Sequence, residues 1–265
     1  MPTSAGARLL IVLGCGAAGC SSSSRPRDEE RRVEPAAVAG GAGEGAAGAA
    51  GDAGAAGDAG VADAAGGPKL AIVEAPIKWS DERAALTLEY RRLHSDPAAK
   101  DLEIEPRVIV LHYTGAGTAR SALYTFEPAR LGTSRPELAR GGAVNVSAHF
   151  LVDRDGTIMR LQPETRYARH CIGLNNVAIG IENVGDEAKW PLTEAQARAD
   201  AALVRELARR FPITHLLGHQ EAAGFAGHAY FVELVPGYTN TKPDPGARFM
   251  KRVREAVADL KLAGP

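Results

Sequence analysis

The sequence has few cysteines, no excess charge of either sign and no aromatic residue before Trp79. Three of its 265 residues are cysteine, and 31 Lys and Arg nearly balance 32 Asp and Glu. A formal net charge of −1 argues against a function based on electrostatic attraction, so we expect no nucleic-acid partner. Cys15 and Cys20 lie near the N terminus, so Cys171 is the only thiol of the predicted folded part, which excludes a disulfide framework there.

The lack of aromatic residues in the first quarter of the chain predicts where folding begins. A segment without aromatics and with few branched aliphatics cannot bury enough apolar surface to offset its ordering entropy. We therefore predict one folded domain over residues 69–265, which is long enough for a well-buried core. Residues 21–68 are rich in Gly and Ala, and glycine recurs at every third position from 45 to 60, a repeat that contains no proline. That composition favours a disordered tether over a collagen-like segment.

The first twenty residues have the pattern of an export signal. Arg8 supplies a positive charge, residues 9–13 are apolar, and small residues at 17–19 precede Cys20. The apolar run is too short to span a bilayer. The pattern resembles the lipobox of bacterial lipoproteins, which implies acylation of Cys20 and a lipid anchor in the membrane. Cys15 is a competing lipidation site, and a plain secretory signal is the alternative.

The remaining sequence alternates strand and helix signals. Helices are predicted at 80–93, at 248–260, and from a Thr193–Gln196 capping box to Phe211, where Pro212 follows. Apolar runs predict strands at 108–111, 177–181 and 213–217, and a hairpin joins 147–152 to 157–161 around an Asp-Gly turn. This order predicts an α/β fold with a central mixed β-sheet flanked by helices.

Polar side chains with catalytic chemistry follow three of the predicted strands. His112, Glu182 and His219 each come directly after an apolar run, where the sheet holds a side chain rigidly at an open edge. Asp244 lies between two prolines, which restrict the backbone on both sides of its carboxylate. Two histidines and a carboxylate suit a catalytic zinc that keeps one position open for water. We expect His215, four residues before His219, to be a core or surface residue.

Five short segments in order resemble the type 2 N-acetylmuramoyl-L-alanine amidases, a family that includes phage lysozyme-amidases and peptidoglycan recognition proteins. The resemblance extends over 112–249 and is carried by the segments 108–113, 146–150, 179–182, 218–221 and 242–246. It implies the family's fold, one Zn²⁺ per chain and a peptidoglycan or muropeptide substrate. The lipobox-like leader is most similar to outer-membrane lipoprotein members, which implies a cell-envelope location facing the periplasm.

The resemblance also implies a role for each matching residue. His112, His219 and Asp244 are the implied zinc ligands, Glu182 the general base, and Lys242 the group that stabilises the developing oxyanion. These roles agree with general chemistry, because zinc lowers the pKa of bound water to about 7 and a neighbouring carboxylate can accept the proton.

Further residues occupy family positions near the substrate cleft. The implied substrate contacts are His149, His170, Tyr113 and Asn176. For His149 and His170, a structural hydrogen bond is an equal alternative. Asn175 and Asn176 are also predicted to form a turn.

The sequence departs from the family pattern at two places. The segment between His219 and Asp244 is longer than usual, and Pro243 stands where a threonine or another polar residue is common. The longer segment lines a glycan groove or forms a lid packed on the core, and its His228 is an outside candidate for a ligand. Its aromatic residues are Phe225, Tyr230, Phe231 and Tyr238.

These observations predict an enzyme that hydrolyses the amide bond between N-acetylmuramic acid and L-alanine. We expect a monomer. The first rival is a peptidoglycan-binding protein without catalysis, which the full set of ligands and catalytic candidates argues against. The second rival is an amidase restricted to anhydromuramyl peptides in cytosolic recycling; the export signal argues against that location but not against that substrate.

Overall fold

The computed structural model of the protein describes residues 70–133 and 135–264. The predicted signal at 1–20 with its lipidation site at Cys20, and the tether at 21–68, lie outside the described residues. Six strands and five α-helices are found in the described part. The strands are β1 (Val73–Glu74), β2 (Val108–Tyr113), β3 (Phe150–Val152), β4 (Ile158–Arg160), β5 (Ala178–Asn183) and β6 (His215–Gly218). The α-helices are α1 (Asp81–His94), α2 (Ala119–Phe126), α3 (Pro136–Ala139), α4 (Glu194–Arg210) and α5 (Ala247–Ala256), with 3₁₀ turns at His219–Phe225 and Ala258–Leu260.

The strands form one mixed sheet in the order β1-β4-β3-β5-β2-β6. Only the β3–β4 pair is antiparallel, and the other neighbours run parallel. The predicted α/β fold with a central mixed sheet is therefore confirmed. The β3–β4 connection is the predicted hairpin, and Gly156 in its turn has φ +91°, a conformation that favours glycine.

The two faces of the central strands have different partners, because side chains alternate across a strand. Ile109 and Leu111 of β2, with Ile179 and Ile181 of β5, lie in the main core, where side chains of α4 and α5 also pack. The alternate residues of the same strands belong to a second apolar cluster on the other face. His112 and Glu182 continue that second face at the carboxyl end of the sheet, so the functional candidates lie opposite the main core.

The sequence signals correctly predicted where α1 and α4 begin, whereas the shortest elements had no recognisable signal. Thr193 and Gln196 form the predicted reciprocal capping box of α4, and Ser80 caps α1 by accepting a hydrogen bond from the Arg83 amide. The final helix was predicted as one unit over 248–260, but α5 stops at Ala256 because Val257 leaves helical geometry before the 3₁₀ turn. The short elements β1, α2 and α3 were not predicted. Among the described residues, no helix has the length and apolar character needed to span a membrane.

A buried carboxyl on α4 contacts the strands behind the functional face. Asp200 is fully buried, and its Oδ2 accepts a hydrogen bond from Asn183 Nδ2 at 2.9 Å. The same amide also donates to the backbone carbonyl of His112 at 3.3 Å. Burial raises the pKa of Asp200 to about 7, although the Asn183 hydrogen bond partly opposes this.

This raised pKa predicts a pH-dependent loss of stability. A carboxyl with a folded pKa near 7 and an unfolded pKa near 4 contributes stability that is present below about pH 4 and lost as pH rises through about 7. Three pKa units correspond to about 4 kcal/mol at most. We expect Asp200→Asn to unfold with a free energy about 1–3 kcal/mol above that of the parent at pH 9 but within about 1 kcal/mol at pH 5.

Urea unfolding at both pH values measures this difference. Glu255→Gln is a matched control, because Glu255 is an exposed carboxylate on α5, and it should leave the pH dependence unchanged. An equal difference between Asp200→Asn and the parent at pH 5 and pH 9 would contradict the prediction.

Candidate metal centre

Parallel strands bring three of the predicted site residues to one edge of the sheet. His112 on β2 lies directly opposite Glu182 on β5 in the strand register. On the other side of β2, Leu111 is opposite Gly218, the last residue of β6, so His219 follows at the level of His112. Residues far apart in sequence therefore become neighbours because the carboxyl ends of parallel strands meet at the same edge.

Asp244 is supplied by a loop that is fastened to the turn after β6. The Gln220 amide donates to the Asp244 carbonyl at 2.8 Å, and the Gly246 amide donates to the Gln220 side chain at 3.0 Å. The bond between Asp244 and Pro245 is cis. Gly218 allows this close approach, since a Cβ there would lie 2.9 Å from Pro245 Cδ. The loop therefore holds the Asp244 carboxylate beside His219.

The ligand candidates form a small buried triangle. Nδ1 of His112 lies 3.0 Å from Nδ1 of His219, and Asp244 Oδ2 lies 3.1 Å and 3.3 Å from these two atoms. The three residues are 2%, 8% and 5% exposed. Ligands about 2.0–2.1 Å from a tetrahedral zinc are about 3.3 Å apart, which matches these edges. Of the described residues, this is the group of three whose donor atoms could hold one metal ion.

The electrostatics of the triangle also fit a cation. Burial lowers the pKa of His112, although its hydrogen bond with Asp244 opposes the shift. Burial alone would raise the pKa of Asp244, but hydrogen bonds with His112 and His219 outweigh it and hold the pKa below its usual range. Nε2 of His219 is buried and has no hydrogen-bond partner among the described residues. A carboxylate and two imidazoles converging in this way are a donor set suited to zinc.

Glu182 adds a second carboxyl group next to the triangle. Its Oε2 is shielded from solvent and has no hydrogen-bond partner among the described residues. Burial, and next the charge of Asp244, raise the pKa of Glu182 to about 8, while Arg135 and Lys242 oppose the shift. An unpaired carboxyl with a pKa near neutrality has the properties of a general acid or base.

These groups line one cleft of about 870 Å³, counting its open mouth. The triangle and Glu182 lie along its wall with Tyr113, Lys242 and Arg135. Tyr90, Ser147, Asn175, Tyr238 and Asn240 add further polar groups to the wall. The mixture of carboxylates and cations on the wall suits a polar substrate.

Only two of the four predicted substrate contacts line the cleft. Tyr113 and His170 line the cleft. His149 does not: it is fully buried, its Nδ1 accepts from the Gly180 amide at 2.9 Å, and its Nε2 donates to the Arg166 carbonyl at 2.8 Å. Burial lowers the pKa of His149 to about 4. Both ring nitrogens are thus engaged with backbone, so His149 has the structural role that was the alternative prediction.

Asn176 also lies outside the cleft wall, and its neighbour Asn175 takes that place. Asn175 Oδ1 accepts hydrogen bonds from the His170 amide at 2.9 Å and the Cys171 amide at 2.8 Å. These bonds fasten the turn that the two asparagines were predicted to form. The substrate contact of Asn176 stays a prediction, since the described structure places Asn175 rather than Asn176 on the cleft wall.

The long segment between His219 and Asp244 packs mainly on the core. Phe225 is buried, and Tyr230 and Phe231 pack against the same apolar cluster. Tyr238 is also buried but reaches the cleft wall, where it accepts a hydrogen bond from Arg169 at 2.8 Å. This arrangement agrees with a lid packed on the core.

His228 is not part of the metal-ligand group. Its ring contacts those of Phe225, Tyr230 and His215, with a distance of 5.1 Å between the centroids of His228 and His215. His215 is half-buried on β6, as expected for a core or surface residue. His228 thus lies outside the group of three residues whose donor atoms could hold one metal ion.

Sequence patterns missed one charged residue of the cleft. Arg135 precedes α3 and faces the same space as Glu182 and Lys242. It lies in a segment without helical or strand periodicity and in none of the matching family segments. No signal in one sequence assigns such a residue to the site.

Residues 102–247 match the family model described as N-acetylmuramoyl-L-alanine amidase. Among curated protein sequences, none matches the chain. The N-acetylmuramoyl-L-alanine amidase LysC from Clostridium intestinale URNW is 23% identical with a TM-score of 0.44, covering 74% of this chain and 99% of its own. A selenomethionine AmpD derivative is 23% identical with a TM-score of 0.45, covering 70% and 94%. Bumblebee PGRP-SA is 16% identical with a TM-score of 0.42, covering 69% and 93%.

Proposed function

The chain belongs to the N-acetylmuramoyl-L-alanine amidase family, and from this premise we propose that it hydrolyses the amide bond between N-acetylmuramic acid and L-alanine in peptidoglycan or muropeptides. The supporting observation is the buried triangle of His112, His219 and Asp244 beside the unpaired carboxyl of Glu182. The proposal includes one zinc ion per chain, held by the three triangle residues.

Zinc, when bound, lowers the pKa of water and polarises the substrate carbonyl. The protein's contribution is to hold three donor atoms 3.0–3.3 Å apart and to leave the remaining direction open to the cleft. Two ligands are fixed by the sheet and its following turn, and the third by hydrogen bonds between its loop and Gln220. The rigid frame limits the freedom of substrate and ligands relative to Glu182.

Glu182 is the proposed proton carrier. As carboxylate it accepts a proton from the attacking water, and as the acid it returns that proton to the leaving amine of L-alanine. Its raised pKa supports both roles, since a group that titrates near neutral pH can accept and release a proton at similar cost. The shielded Oε2 is free of competing hydrogen bonds with the described residues.

Lys242 is the proposed stabiliser of negative charge on the amide oxygen. It lines the same cleft as Glu182, and its charge is close enough to oppose the raised pKa of that carboxyl. A fixed positive charge at the reacting carbonyl favours the transition state over the ground state, where the oxygen is neutral. Tyr113 on the cleft wall is a proposed substrate contact.

Mass spectrometry of digested material tests the activity. Purified zinc-loaded protein should release stem peptides with a free L-alanine amino terminus from both cross-linked cell wall and soluble muropeptides. Release from anhydromuramyl peptides alone would support the restricted-substrate alternative. Zinc binding and peptidoglycan binding without any release would support a recognition protein and refute the amidase proposal.

We also propose that the mature protein is a monomer anchored by a lipid on Cys20, in the outer membrane and facing the periplasm, from the lipobox-like pattern of the leader. Cys20→Ala is expected to move most of the protein from the membrane to the soluble fraction, because a lipidated cysteine is the proposed attachment. Fractionation followed by immunodetection measures the shift, with Cys15→Ala as the matched control. Unchanged membrane retention of Cys20→Ala would contradict the anchor at that residue.

A further inference from the structure

His170 contacts a proposed zinc ligand through one ring nitrogen and the backbone through the other. Its Nδ1 lies 3.1 Å from Nε2 of His112, and its Nε2 lies 3.2 Å from the carbonyl oxygen of Ala178. The rings of His170 and His112 are perpendicular, with centroids 5.2 Å apart. A continuous path of hydrogen bonds therefore joins β5 to the metal triangle through two imidazoles.

The direction of these bonds follows from the groups at the two ends. A carbonyl oxygen only accepts, so Nε2 of His170 carries a proton and donates to Ala178. In a neutral His170, Nδ1 is then an acceptor, and the proton between the rings belongs to Nε2 of His112. Nδ1 of His112, the atom that faces His219 and Asp244, is then the ring nitrogen that a metal can bind.

We propose that His170 is a positioning residue, which fixes the tautomer and ring orientation of His112 so that its Nδ1 is ready to bind the metal. The inference rests on the proposed zinc-dependent function. Metal-bound histidines commonly donate their second N–H to an acceptor that orients the ring and raises its basicity, and loss of that acceptor costs about 10–100-fold in metal affinity or activity. In this chain a second imidazole is the acceptor.

The surroundings of His170 hold its ring in place. Gly180 of β5 lies directly beneath it, and a Cβ at that position would lie 2.7 Å from His170 Cγ. The His170 amide donates to Asn175 Oδ1 at 2.9 Å, which fixes the backbone that carries the ring. Contact with Gly180 and the hydrogen bond to Asn175 thus restrict the position of the His170 ring. Both ring nitrogens of His170 are used, one in the bond to His112 and one in the bond to Ala178. Neither is therefore free for the substrate contact that was one of the two sequence-based predictions.

Two substitutions at position 170 distinguish loss of the hydrogen-bond acceptor from loss of the imidazole ring as a whole. His170→Leu removes the acceptor, and we expect zinc affinity to fall about 10–100-fold. His170→Asn keeps an amide oxygen near the position of Nδ1 but loses the bond to Ala178. Zinc affinity should therefore recover to within about fivefold of the parent, a smaller loss than the roughly 10–100-fold expected without the acceptor. Competition with a chromophoric chelator measures both affinities without reference to activity.

His149→Leu is the matched control for loss of a buried imidazole. His149 packs against His170, with ring centroids 5.8 Å apart, and makes two backbone hydrogen bonds. No hydrogen bond joins it to a triangle residue in the described structure. Its replacement should lower thermal stability, yet the folded protein should keep its zinc affinity within about twofold, a change smaller than the loss expected on removing an outer-shell partner. An equal loss of zinc affinity in His149→Leu and His170→Leu would assign the effect to general destabilisation and overturn the proposal.

A measurement on the unaltered protein also tests the proposal and does not depend on whether a variant folds. Nitrogen-15 NMR of histidine-labelled, zinc-loaded protein should show a proton on Nε2 of His112 and the chemical shift of a metal-bound nitrogen at its Nδ1. Zinc-loaded protein in which Nε2 of His112 carries no proton would overturn the proposal. If the parent protein bound no zinc, the proposed function would fail. Parent protein that binds zinc, together with His170→Leu that binds it equally well, would refute only the positioning role.

Discussion

Glu182→Gln is expected to lower the rate of amide hydrolysis about 10³-fold or more while zinc remains bound. Glutamine has nearly the shape of glutamate but cannot accept a proton from water or return it to the leaving amine. Because Glu182 is not part of the ligand triangle, zinc content should stay at one ion per chain. Peptide release from a soluble muropeptide, followed by chromatography, gives the rate, and elemental analysis gives the metal content.

Glu187→Gln provides a matched control for this change. Glu187 is an exposed carboxylate on the loop that follows β5, five residues beyond Glu182. Its replacement makes the same chemical change near the cleft, and the rate should stay within about twofold of the parent, since surface substitutions away from special features usually have small effects. If Glu182→Gln retained full activity, another group would have to carry the proton, and the assigned role of Glu182 would be wrong.

Asp244→Ala is expected to abolish both zinc binding and hydrolysis. The substitution removes one of three donor atoms and the only negative charge in the triangle. Loss of an outer partner of a ligand costs about 10–100-fold in affinity, so loss of a ligand itself should exceed about 100-fold. Titration with zinc in the presence of a competing chelator measures the affinity, and the muropeptide assay measures the rate.

Metal removal and return distinguish this effect from misfolding. Parent protein stripped by a chelator should lose activity and regain it when zinc is added, whereas Asp244→Ala should not recover at zinc concentrations that saturate the parent. Circular dichroism of both metal-free proteins checks that the fold is retained. Asp244→Ala protein that is folded and binds zinc with the parent's affinity would exclude Asp244 as a ligand.

The sequence predicted those elements whose signals are local. The helix α4 has a capping box at its start and a proline after its end, and the central strands β2 and β5 are short apolar runs. The short helices α2 and α3 and the two-residue strand β1 escaped detection, because such elements owe their stability to tertiary packing rather than to a periodic pattern. The start of the folded domain at residue 69 stays a prediction.

Candidate ligands were found because each follows a strand signal or lies between prolines, but the function of other polar residues depended on the fold. His149 and His170 look equivalent in sequence, yet one bonds only to backbone and the other contacts a proposed ligand. Arg135 reaches the cleft from a segment with no signal at all. Hydrogen-bond partners of this kind come from distant parts of the chain, and no local pattern encodes them.

The sequence by itself determined the chemical inventory: two histidines, two carboxylates and a lysine in an ordered set of segments on an α/β domain. The tertiary structure alone decided three things. It set the three donor atoms 3.0–3.3 Å apart, left Oε2 of Glu182 shielded and without a partner among the described residues, and determined which nitrogen of His112 faces the triangle. The physical reason is that residue type fixes which atoms can donate, accept or bind a metal. Distance, desolvation and tautomer depend on neighbours that only the packing of strands and loops brings together.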